Sequence, residues 1–76
     1  MRQIIITIYE IYLDQLTVVA EQLHREGLVI IHLYEFGLII GMAEEEVIPR
    51  LRNYKEVASL EEEKQVHIPP PDSEVQ

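Results

Sequence analysis

The side chains able to do chemistry are few and scattered. His24, His32 and His67 fall on a helical stretch, a strand and the C-terminal segment, so no helical i, i+4 pair of ligands is formed. A metal site needs several such donors converging, and none is expected. Ser59 and Ser73 are the only serines, and neither stands in a nucleophile-elbow context. Gly27, Gly37 and Gly41 are spaced too irregularly for a phosphate loop. The runs Glu44–Glu46 and Glu61–Glu63 supply paired carboxylates. The first heads a helix, where the dipole favours acids. The second closes a strand, where it is expected to face solvent. Neither is set in the apolar pocket that acid catalysis requires. The expectation is a protein that is not an enzyme, with no cofactor and no metal.

The elements that must position these residues form one domain, since the chain has 76 residues. A chain this short buries only about 60% of its unfolded surface. It has no cysteine, so no disulfide supports the core. Its net charge of −8 argues against phosphate backbones and anionic membranes, which attract basic faces. The same charge favours a basic partner, or one offering helix N-termini. Glu10 and Asp14 interrupt the apolar N-terminus, and no cleavage-site pattern follows, so no signal peptide is read. No apolar run reaches the roughly 20 residues of a membrane helix. A cytoplasmic location is expected.

Residues 3–9, QIIITIY, are β-branched and predict a strand. From Tyr12 to Glu26, Leu13, Leu16, Ala20 and Leu23 recur at helical steps, and Gly27 ends the helix. Residues 28–34 and 38–42 predict two strands in an antiparallel hairpin. Residues 44–55 predict a second helix; Pro49 is tolerated only in a first turn, so regular helix is expected from Glu45 or Glu46. Residues 57–62 predict the last strand. Residues 1–68 are read as one domain and 69–76, with Pro69-Pro70-Pro71, as a Pro-rich flexible tail.

The order β-α-β-β-α-β predicts an α+β, ferredoxin-like fold, a four-stranded antiparallel sheet with two helices on one face. Strict alternation assigns Ile4, Ile6, Ile8, Val29, Ile31, Leu33, Leu38, Ile40 and Met42 to the core. It leaves Ile5, Thr7, Tyr9, Ile30, His32, Tyr34, Ile39 and Gly41 on the open face. Uncovered isoleucines and tyrosines of this kind mark a contact surface, for a partner or for a second copy. Tyr9 and Tyr34 offer aromatics for RNA stacking, but the acidic charge denies the basic residues that RNA binding uses.

The segment Val57-Ala58-Ser59-Leu60-Glu61-Glu62-Glu63 resembles the V-x-x-V-E-x-D ending of the subtilisin propeptide family, the peptidase inhibitor I9 family. Gly37-Leu38 resembles its G-F, Met42-Ala43-Glu44-Glu45 its L-S-E-E, Leu51 the apolar position of its second helix, and Val66-His67-Ile68 its V-x-H tail. The likeness covers residues 28 to 68 by motif, and the first strand and helix by pattern. It implies a ferredoxin-like domain that inhibits and chaperones a subtilisin-like serine protease. It would place Ile30, His32 and Tyr34 on the docking face. Glu61 and Glu63 would cap helix N-termini of the protease, and Val66, His67 and Ile68 would enter its cleft. Ala43 stands where a serine or threonine cap is usual, and Pro49 falls within the second helix. The Met42-to-Val57 spacing is one residue longer than usual, the proline before the last strand is missing, and three prolines stand at the cleavage position. No protease sequence follows, so action in trans is expected. The alternatives are a non-enzymatic ferredoxin-like module that self-associates as a homodimer through the sheet face, and a small-ligand domain similar to the ACT domains.

Overall fold

Four strands and two helices follow in the order β1 (Arg2–Ile8), α1 (Leu16–Glu26), β2 (Val29–Tyr34), β3 (Leu38–Ala43), α2 (Ile48–Arg52) and β4 (Val57–Glu62), in a computed structural model that describes residues 1–62. The strands form one sheet in the order β2-β3-β1-β4, with every neighbouring pair antiparallel. This is the ferredoxin-like α+β architecture, and β2 and β4 are its edges.

A 3-10 run, Glu10–Gln15, leads into α1. Leu16, Val19, Ala20 and Leu23 are the buried stripe of α1, at steps of three and four. Gly27, at φ 129°, ends the helix. Its N–H donates to the His24 carbonyl at 3.0 Å, and the Leu28 N–H donates to the Leu23 carbonyl at 3.0 Å. This pair of hydrogen bonds satisfies the carbonyls of Leu23 and His24 and carries Leu28, fully buried, directly into the core.

Helix α2 is shorter than the spacing predicts and begins at Ile48, not at Glu45 or Glu46. Proline lacks an N–H and clashes with the preceding turn, so the helix starts where Pro49 falls in its first turn. Glu45 and Glu46 are left in a turn before it. Ile48 and Leu51 are its buried residues.

Both helices cover the same sheet face. The core joins Ile4, Ile6 and Ile8 of β1, Ile39 and Ala43 of β3, and Val57 and Leu60 of β4 to the buried residues of α1 and α2. The faces of β3 are therefore the reverse of strict alternation: Ile39 and Gly41 point to the helices, while Leu38, Ile40 and Met42 do not. The β1–β3 register requires this, since Ile4 pairs with Gly41 and Ile6 with Ile39, and cross-strand partners share a face. In β2 the register shifts between Ile30 and His32, leaving Ile31 as the extra residue of a bulge. The bulge breaks the alternation, so Ile30 lies on the helix side, packed against the core, while His32 and Tyr34 stay on the open side. Tyr9 lies beyond β1, exposed. No helix among the described residues is long and apolar enough to cross a membrane.

Candidate functional site

No helix among the described residues covers the second face of the sheet. Its residues stand in rows set by strand register. One row runs Tyr34–Leu38–Thr7–Ser59 from β2 to β4, and the next runs His32–Ile40–Ile5–Glu61. A third joins Val29, Met42 and Gln3. Ile5, Leu38, Ile40 and Met42 are half-buried. The apolar centre is thus bordered by aromatics on the β2 side and by an acid on the β4 side.

The aromatic border is a ladder. The His32 and Tyr34 rings have centroids 6.0 Å apart, and the Tyr34 and Phe36 rings 5.5 Å, each pair stacked at interplanar angles of 28° and 27°. Phe36 extends the row into the β2–β3 turn and is 68% exposed. That turn is closed by the Gly37 N–H donating to the Tyr34 carbonyl at 2.9 Å, and is tied to β1 by the Ile8 N–H donating to the Gly37 carbonyl at 2.8 Å.

The glutamates at the end of β4 are divided by the pleat. Glu61 pairs with Ile5 and lies on the open face; Glu62 pairs with Ile4 and lies on the helix side. Arg2 Nη1 donates to Glu62 Oε1 at 3.3 Å and Nε to Glu45 Oε2 at 2.9 Å, while Arg52 Nη2 stands 3.9 Å from Glu62 Oε2. The hydrogen bond and charge of Glu45, reinforced by Glu62, hold the Arg2 guanidinium above its ordinary pKa. Glu62 thus ties β4 to β1 and to α2. Glu61 has no such partner among the described residues.

Of the predicted site residues, His32, Tyr34 and Glu61 share the open face. Ile30 does not, because of the bulge. Glu63, Val66, His67 and Ile68 lie outside the described residues. Sequence reasoning missed Leu38, Ile40 and Met42, because LIIGMA is apolar on both faces and alternation cannot choose between them. It also missed Phe36, whose signal was present: an aromatic two residues after Tyr34 and next to a turn glycine.

His24 Nδ1 donates to the Leu28 carbonyl at 3.0 Å, away from His32. Among the described residues no group of three or more His, Asp or Glu side chains is placed to hold a metal ion. Comparison of the chain with protein-family models, with curated proteins and with solved structures returned no match.

Proposed function

We propose that this domain is an inhibitor or chaperone of a subtilisin-like serine protease that docks by its open sheet face and C-terminal segment. The observation that carries the reading is the separation of Glu61 from Glu62. Glu61 alone stands beside the apolar rows, facing outward next to Ile5. An apolar face bordered by a carboxylate that has no partner among the described residues is complementary to surface helices whose first N–H groups lack partners. The apolar rows would cover the sides of such helices, and Glu61 would accept from their N-terminal N–H groups. Val66, His67 and Ile68 would then extend into the cleft as an added strand. The motif order over residues 28 to 68 supports the same reading.

The test is the residual activity of a subtilisin-type protease titrated with the full chain. The expected result is stoichiometric loss of activity, with at least tenfold weaker inhibition by Glu61→Lys and by Ile40→Asp. Full protease activity, with the chain intact at the end, would refute the reading.

Self-association has its own support. The edge strand β2 leaves Val29, Ile31 and Leu33 between 43% and 48% exposed, and an uncovered apolar edge is a template for pairing. Sedimentation across a concentration series separates the two: a dimer that persists on dilution favours this second reading.

A further inference from the structure

We propose that the end of the domain where the β2–β3 turn meets the 3-10 run Glu10–Gln15 is a second docking surface, and that its occupant is a short basic amphipathic segment of another protein. This does not rest on the protease reading, since Ile5, Ile40 and Glu61 take no part.

The backbone assembles this end from three separate segments. The Ile8 N–H donates to the Gly37 carbonyl at 2.8 Å, and the Tyr9 N–H donates to the Glu56 carbonyl at 3.0 Å. Leu13 of the 3-10 run lies over Gly37, so close that a β-carbon there would meet its Cδ2 at 2.8 Å. Tyr9, the 3-10 run and the turn are thereby held together at one pole of the sheet. Five of the nine large apolar side chains exposed among the described residues gather here: Tyr9, Ile11, Leu33, Tyr34 and Phe36. Ile11 at 77% and Phe36 at 68% are the most exposed of the nine. Phe36 is steadied by stacking on Tyr34 at 5.5 Å. An exposed apolar side chain on its own needs no explanation, but a cluster on one small end of a domain marks a contact.

Charge decides the occupant. Glu10, Asp14 and Glu35 stand exposed in the same segments, and none has a hydrogen-bond or ion-pair partner among the described residues. Lys55, next to Glu56, is the one described cation at this end. The described arginines lie elsewhere, and each already faces a glutamate: Arg2 with Glu45, Arg25 with Glu21, Arg50 with Glu26 and Arg52 with Glu62, at 2.8–3.9 Å. The molecule is thus polarised. Its paired charges lie away from the apolar end, and its acids without partners ring it.

A second copy fits this end poorly, because two of them face to face would set the same three acids against each other. Nucleic acid and anionic lipid carry the same sign as the rim and are disfavoured for that reason. A segment with apolar side chains flanked by lysine or arginine matches both features. Its apolar residues would cover Ile11 and Phe36, and aromatic anchors of this kind dominate interface energies. Its cations would meet the acidic rim, which steers the encounter and rejects acidic competitors. The surface consists of one turn and one 3-10 run, so the complex is expected to be weak and salt-sensitive.

The experiment is nuclear magnetic resonance titration of the full chain with a synthetic peptide that has leucines at helical spacing and lysines between them. The expected result is movement of the amides of residues 9–13 and 35–37, with those of Ile5, Ile40 and Glu61 unmoved. Binding should weaken about tenfold in the double variant Ile11→Ser, Phe36→Ser, and again in Glu10→Gln, Glu35→Gln. All four positions are exposed, and unchanged amides in α1 check that both variants remain folded. The same peptide with glutamate in place of lysine should not bind. No shifts, shifts centred on the sheet rows, or binding undiminished in either variant would overturn the inference. Equal binding of a peptide with serine in place of leucine would also overturn it, since charge alone would then suffice. Movement of the same amides on dilution of the chain alone, or with neutral phosphatidylcholine vesicles, would overturn it in favour of a second copy or a membrane surface.

Discussion

The side chain of Leu28 fills the space beside Gly41 that a β-carbon would need. A β-carbon built there would meet Leu28 Cδ1 at 2.9 Å and the Val29 carbonyl oxygen at 2.5 Å. Gly41 is therefore the point at which the Val29 carbonyl of β2 crowds β3 and Leu28 enters the core. Gly41→Ala should destabilise the domain by about 2–3 kcal/mol, because backbone as well as side chain must move. A fall in thermal midpoint of about 10 °C or more is expected for a domain of this size. An unchanged midpoint would mean that β2 does not lie as described.

Ile39 and Ile40 are neighbours with opposite fates. Ile39 is fully buried under the helices, and Ile40 faces outward beside Ile5. Ile39→Asp should unfold the chain, since an unpaired buried carboxylate costs several kcal/mol in a domain of small margin. Ile40→Asp should remain folded. Circular dichroism distinguishes them, and the reverse result would return β3 to the strict alternation of its sequence.

Tyr54 links the two helices chemically. Its hydroxyl donates to Glu26 Oε1 at 3.1 Å, across from the end of α1, and Arg50 Nη1 stands 3.8 Å from Glu26 Oε2. Burial, then the bond to Glu26, raises the phenol above its ordinary value of 10.0. A raised value means the folded chain holds this proton more tightly than the unfolded chain. The contribution is fully present below about pH 10 and is lost as the pH rises through the folded value. Ultraviolet titration of the four tyrosines should show one late component, absent in Tyr54→Phe. That variant should lose about 1 kcal/mol at neutral pH.

Glu61 and Glu62 should respond differently to neutralisation. Glu62→Gln weakens the cluster with Arg2 and Arg52, so its thermal midpoint should fall by a few degrees at most, and by less at high salt. Glu61→Gln should leave the midpoint unchanged. A larger loss from Glu61→Gln would show that its carboxylate serves the fold and is not held free for a partner.

The number, type and order of the elements were legible in the sequence. β-branched runs, the helical stripe at Leu16, Ala20 and Leu23, and the stop at Gly27 are local signals, and each acts within a few residues. The short connection at Glu35–Gly37 forces an antiparallel hairpin by chain length alone. Pro49 gave warning of trouble in α2, yet the start at Ile48 depended on which turn the core would accept. The candidate face was legible only in part. His32, Tyr34 and Glu61 were found, but Ile30 was misplaced and Ile40 missed, because their positions are not set locally. Both faces of LIIGMA are apolar, and the larger one, Leu38, Ile40 and Met42, is the one left on the open side. The choice between them was made by the fit of Leu28 over Gly41 and by the pairing of Ile4 and Ile6 across β1. A single bulge at Ile31 then turned Ile30 inward and His32 outward. Hydrophobic pattern determines that a strand is buried; only long-range packing decides which side of it is.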